Sequence, residues 1–345
     1  MQEIELLVRF KIFFILTFLF VAEIFPQGFP DKNVDSLLRK GIDYIIVEKY
    51  ADAEKTFNYL DTNYAKFPFG KIYLAAVKIA EDYDYREPFD SKFIETNLDE
   101  AESQSEKLAD TDESNPWYIY LKALSNGYYA YYEALNHNWL SAFSKGYDSM
   151  KEFEECISLD SNFYDAYTAL GTFKYWSSNQ TKFFQFLPFV HDESKLGIEY
   201  LKKAISGSGY TSYLAVNSLI WIYIHEKDFK DAQQLAEKAL KEYPKSRFFM
   251  WGLARSLEGS DPQKSIKIYQ SIYDSYKAAN KLNPFHEILL KYLMAKQYAS
   301  LGEKEKALKL CNEILNKRYK SLDESGRMER RLKRVEKLKA ELLKS

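Results

Sequence analysis

From about Asp31 onward the apolar residues recur at intervals of three and four, leaving a charged stripe on the opposite side of each segment. That period belongs to amphipathic helices; strands would alternate at every second residue. The clearest stretch runs from 213 to 244, where Leu219, Tyr223, Phe229, Ala232, Ala236 and Ala239 follow at steps of three, four and six, and Tyr243-Pro244 stops the second helix. Two short antiparallel helices would bury this set between them, the alanines permitting close approach and the two aromatic rings filling what is left. Helices near 70–83 and 91–110, then 115–136 and 139–159, continue the alternation with a looser pattern. Along the whole chain the pattern gives seven helix pairs and one further helix at the C-terminus.

The recurrence also has a phase. Gly41, Tyr44, Tyr50, Ala53 and Phe57, closed by Phe67-Pro68, make one copy; Met294, Ala295, Tyr298, Gly302, Ala307 and Ile314 make another, with Cys311 at a usually aromatic position. Tyr167, Leu170 and Gly171 open a third that Gly197, Leu201 and Ala204 close, and Leu253, Ala254, Ser265, Tyr269 and Ile272 form a copy one residue short. Over about residues 33–317 this resembles the tetratricopeptide repeat (TPR) family in its exported bacterial type. The resemblance implies an all-α fold: a right-handed α-solenoid of about seven TPR-like helix pairs over 31–317, with residues 318–345 as a basic amphipathic C-terminal helix that caps it. A closed helical bundle is the alternative architecture.

In TPR proteins the first helix of each pair lines the concave groove, and its fifth and ninth positions commonly contact a protein or peptide. Carried onto this chain, those positions are Asn217 and Trp221, Trp251 and Arg255, and Tyr292 and Lys296. Aromatic platforms with two cations suit an extended partner segment bearing acidic and apolar side chains. The Lys/Arg and Asn alternation of TPRs that clamp a terminal carboxylate is missing. Alternatively, Trp221 and Trp251 simply pack between repeats.

The third copy is stretched by about 14 residues, an insertion near 177–193 that reads SSNQTKFFQFLPFVHDE. Phe183, Phe184, Phe186 and Phe189 would each bury roughly 150 Å² or more, so they are expected to fold back as a plug or an extra packing layer. A loop that touches a partner or a membrane is the alternative. Whether the groove is open or filled by this segment is left open.

Residues 12–22, IFFILTFLFVA, follow Arg9 and Lys11 and precede Glu23, the layout of a secretory signal. Extended to Phe25 the run would make about 21 Å of helix against roughly 30 Å of hydrocarbon. Residues 1–28 are therefore expected to be a signal peptide or, failing cleavage, an N-terminal anchor, which directs the protein to the periplasm or cell envelope. No Cys follows the run, so a lipid anchor there is excluded. Cys156 and Cys311, the only cysteines, are expected as separate buried thiols.

Lys and Arg number 48 against 50 Asp and Glu, a net charge of −2 that offers no global field for nucleic acid. Gly and Pro, 13 and 9 residues, stand at about half of ordinary usage, which disfavours a strand-rich fold of many tight turns. From Lys317 onward 11 basic and 5 acidic residues gather, with Met328, Leu332, Val335, Leu338 and Leu342 on one stripe. Covering the last pair is the simplest use of such a helix; meeting an acidic partner or lipid is the other. Motifs for chemistry are sparse. The four histidines lie outside any His-Glu-x-x-His frame, no Cys-x-x-Cys or phosphate loop occurs, and His191-Asp192-Glu193 is the one close grouping of ligand types. No metal and no cofactor is expected, and the function implied is a non-catalytic scaffold for protein or peptide binding. The alternatives are a membrane-anchored component of an envelope assembly complex and an enzyme with the insertion as a lid.

Overall fold

The computed structural model describes residues 27–180, 192–317, 319 and 326–344. The insertion phenylalanines and His191 lie outside the described residues, as does the whole of the apolar N-terminal run. Within them the chain forms an all-α solenoid. Its pairs are α1 (Lys32–Ile46) with α2 (Tyr50–Asn63), α3 (Phe69–Tyr85) with α4 (Ser91–Thr111), and α5 (Pro116–Leu135) with α6 (Trp139–Leu159). There follow α7 (Ala166–Gln180) with α8 (Ser194–Gly207), α9 (Ser212–His225) with α10 (Phe229–Glu242), α11 (Arg247–Leu257) with α12 (Pro262–Ala278), and α13 (Pro284–Ser300) with α14 (Lys304–Leu315). A last helix, α15 (Arg327–Lys344), packs on α13 and α14. Each helix lies against the next in chain order.

Local chemistry sets the boundaries. Asp31, Asn115, Asp228, Asp261 and Asn283 accept a backbone N–H of the first turn of α1, α5, α10, α12 and α13, and Pro116, Pro262 and Pro284 open three of these helices. The turn inside pairs one, three, five and seven holds a left-handed residue: Glu48, His137, Lys227 and Gly302, at φ 55°, 65°, 64° and 74°. Only one of these four is glycine, so the glycine shortage is met by side-chain-bearing residues in a conformation they adopt at some cost.

Pair packing follows the small residues. Ala232 and Ala236 of α10 are fully buried. In the stretched pair a Cβ on Gly171 would stand 2.7 Å from the Gly197 carbonyl oxygen, and one on Gly197 would stand 2.7 Å from that of Gly171, so α7 and α8 touch backbone to backbone. Cys156 and Cys311 are separate free thiols, each buried in a different cluster. Of the C-terminal stripe, Met328, Val335 and Leu342 are buried and Leu332 and Leu338 pack beside them, on Ile288, Ala295, Cys311 and Ile314. None of the described helices is long and apolar enough to cross a membrane.

The inner helices do not surround an empty trough. The C-terminal end of α1 meets the start of α11, where the Ser246 hydroxyl donates to the Ile46 carbonyl (2.6 Å) and the Phe248 N–H donates to Glu48 (3.0 Å). The end of α3 meets α12 and α13, where the Tyr276 hydroxyl donates to Asp84 (2.7 Å) and the Asn283 amide to the Tyr85 carbonyl (2.6 Å). One apolar cluster consequently runs from Phe29 to Met294. The superhelix is wound tightly enough that its first two pairs close on its fifth to seventh.

Candidate functional site

The six groove positions fall on the inner helices α9, α11 and α13, one pair of residues on each. Trp221 stands at the surface with 36% of its area exposed, and the Arg255 side chain is 44% exposed. Arg255 donates to Glu258 (2.6 Å); burial would lower its pKa, and the Glu258 carboxylate outweighs that and raises it. Trp251 is half-buried with its ring 6.0 Å from that of Tyr269, so it packs within its own pair. Tyr292 is half-buried against the cluster that α15 covers, and Lys296 is half-buried on the same helix. Asn217 is half-buried, and its side-chain oxygen lacks a hydrogen-bond partner among the described residues. No hydrogen bond, ion pair or ring contact among the described residues joins one of these pairs of positions to another.

Two polar junctions that the pattern did not single out close the superhelix. At the first, Arg247 at the start of α11 is buried between Asp84 and Glu48, its guanidinium 4.6 Å from the Tyr276 ring. Tyr50 donates to the same Asp84 carboxylate (3.1 Å). Burial opposes the Arg247 charge, and Asp84 with Glu48 overcomes this and holds its pKa above the ordinary range. The Glu48 carboxyl is pushed up to about 7 by burial, against the pull of Arg247. On the far side of Tyr276 the His286 ring is stacked at 4.0 Å, and burial lowers its pKa to about 4.

These two groups act in opposite directions on stability. His286 stays neutral in the fold while the unfolded chain takes up its proton below about 6.5, so its contribution is lost as pH falls from 6.5 towards 4. Glu48 is protonated in the fold below about 7 but in the unfolded chain only below its ordinary value of 4.5, so its contribution favours the fold as pH falls through that window. In the His286→Phe variant, which keeps a ring against Tyr276, urea denaturation should show a stability difference from the parent that grows by about 3 kcal/mol between pH 6.5 and 4. A difference independent of pH would mean that His286 titrates normally in the fold.

The second junction is an aromatic and carboxylate assembly at the starts of five inner helices. Trp117 of α5 touches Phe29, Phe163 and Tyr210 with ring centroids at 5.2, 4.8 and 6.1 Å. Asp165, buried before α7, accepts the backbone N–H groups of Gly209 (3.1 Å), Tyr210 (2.9 Å) and Thr211 (2.8 Å). Burial raises its pKa despite those bonds and the Ser208 hydroxyl. Arg39 pairs with Asp35 at 3.0 Å and reaches the Gly209 carbonyl at 3.1 Å. The sequence did carry a signal for this junction: Gly207-Ser208-Gly209-Tyr210 puts two glycines within three residues of a glycine-poor chain, as close backbone approach requires.

Among the described residues no group of three or more His, Cys, Asp and Glu is arranged to hold a metal ion. Asp192 and Glu193 serve α8 locally, Glu193 pairing with Lys174 at 2.9 Å.

No protein-family model and no curated protein sequence matches the chain. Solved structures similar to it include PilW, described as a widely conserved type IV pilus biogenesis factor, at 14% identity and a TM-score of 0.46, covering 70% of this chain and 93% of that one. A tetratricopeptide repeat protein from Parabacteroides merdae is similar at 11% identity and a TM-score of 0.38, covering 88% and 99%. The human IFIT1 dimer with PPP-AAAA is similar at 15% identity and a TM-score of 0.40, covering 84% of this chain and 63% of that one. The Parabacteroides merdae protein is described as a tetratricopeptide repeat protein, and these likenesses carry no argument about what this chain binds.

Proposed function

We propose that this chain is a non-catalytic TPR-type scaffold of the bacterial cell envelope, holding a protein or peptide partner on the inner helices of its last three pairs. The observation that supports it is the accessibility of Trp221 and Arg255, an indole and a guanidinium on successive inner helices, outside the closed core. A stacking surface and a cation suit an extended segment with apolar and acidic side chains. Asn217, Trp251, Tyr292 and Lys296 would border that contact, with Trp251 also supporting its own pair through Tyr269. The Trp221→Ala/Arg255→Ala double variant should lose most partner capture from an envelope extract at unchanged helical circular dichroism. Capture equal to the parent's would sink this assignment. Trp251→Ala, by contrast, should lower the melting temperature as well.

A second reading concerns attachment. Only four residues, 23–26, separate the apolar run ending at Ala22 from Gln27, which is already bonded into the folded body. Cleavage before Gln27 would leave that contact intact, and an uncleaved run would hold the solenoid close against the bilayer as part of an envelope assembly. The intact mass of protein purified from membranes separates the two.

A further inference from the structure

Gln27, Gly28 and Phe29 precede α1 and belong to no helix, yet the body holds them as a receptor holds an extended ligand. The Gln27 N–H donates to the Gly207 carbonyl (3.0 Å), and its own carbonyl accepts from Arg39 Nη2 (2.9 Å). Its side-chain oxygen accepts from the Asp165 N–H (3.3 Å). The Phe29 N–H donates to the Tyr210 hydroxyl (2.7 Å) and to Asp35 Oδ1 (3.3 Å). The Phe29 ring sits edge-on among Phe67, Phe69 and Trp117, with centroids at 4.8, 5.1 and 5.2 Å. Gly209 is what admits the segment, since a Cβ there would stand 1.7 Å from the Gln27 carbonyl oxygen.

The walls of this socket are held by contacts that do not involve the occupant. Asp165 fixes the turn at 208–211, Asp35 fixes Arg39, and Trp117 is wedged against Phe163 and Tyr120. Binding to a site whose walls are already ordered avoids most of the cost of arranging it. We propose that this socket is a binding site for an extended peptide of the kind Gln-Gly-aromatic, filled in cis by the chain's own segment, and that a protein partner bearing such a sequence engages by displacing it. The inference rests on the scaffold reading and names a second contact for it. A tethered occupant competes at an effective concentration on the order of millimolar, so the parent chain should largely exclude a peptide in trans.

The test uses the full chain and a fluorescein-labelled acetyl-Gln-Gly-Phe-Pro amide, followed by anisotropy. Phe29→Ala removes the ring that anchors the cis segment, and this variant should bind the peptide saturably, about tenfold or more tighter than the parent. Adding Gly209→Ala should abolish that binding in the Phe29→Ala background, because the new methyl group occupies the place of the Gln27 carbonyl. A Phe29→Ala variant that keeps its helical circular dichroism and binds no peptide overturns the proposal, as does one that loses its helicity, since the segment is then part of the core. Either result, with capture through Trp221 and Arg255 intact, discards the socket and leaves the scaffold standing.

Discussion

Arg247→Ala should destabilise the chain by about 3–5 kcal/mol, because it leaves the largely buried Asp84 carboxylate without the charge that compensates it and forces Glu48 to take up a proton. Asp84 accepts from Arg247, Tyr50 and Tyr276 together, and Glu48 lies at the same guanidinium. Glu48 also occupies a left-handed backbone conformation, at φ 55°, and in that position its carboxylate accepts the Phe248 N–H. Strain of that kind persists where the surrounding contacts over-determine it. The junction joins segments about 160 to 200 residues apart, so its loss should part pairs one and two from pairs five to seven while leaving the individual hairpins helical. The urea denaturation midpoint measures the loss. Combining Arg247→Met with Glu48→Gln and Asp84→Asn should recover a good part of it, since the uncompensated charges go with the guanidinium. Equal destabilisation in the single and triple variants would refute the charge argument.

Gly197→Ala should cost about 3 kcal/mol, the upper end of what overpacking does. Its Cβ would meet the Gly171 carbonyl oxygen at 2.7 Å and the Tyr175 amide nitrogen at 2.8 Å, and these are main-chain atoms of a neighbouring helix. A side chain could rotate away; a helix backbone can only shift as a body, which opens Leu201 and Tyr175 of the same cluster to solvent. Gly259→Ala is the matched control, because a Cβ there meets nothing within 4 Å, and it should change stability little. Thermal melts of the two variants against the parent decide the matter; equal melting temperatures would mean that α7 and α8 are not in backbone contact.

The legible part of the molecule was the part carried by spacing. Ala232, Ala236 and Ala239, and Gly171 with Gly197, place small residues where one helix crosses its partner, and the structure buries them there, whereas Phe229, expected to fill the same space, is 43% exposed. The stretched pair was readable across its insertion because glycine at both ends reports backbone contact whatever lies between. The basic C-terminal stripe likewise announced a helix covering the last pair, and α15 does so through Met328 and Val335, with Leu332 and Leu338 beside them. What escaped was everything that depends on the superhelix meeting itself. Nothing in the local pattern ties Glu48 and Asp84 to Arg247, or Asp35 to Tyr210, because the partners lie about 160 to 200 residues apart.

Hairpin formation and hairpin order were thus set by the sequence alone, since a period of three and four with small residues at fixed offsets needs only neighbours a few tens of residues away. How far the stack curls was decided by the tertiary structure. Small rotations between successive pairs add up over seven pairs, and only that sum brings α1 and α3 against α9, α11 and α13 and seats Phe29 beside Trp117. A cumulative angle of that kind is not written at any one position, even where a glycine such as Gly209 reports that some backbone approaches closely.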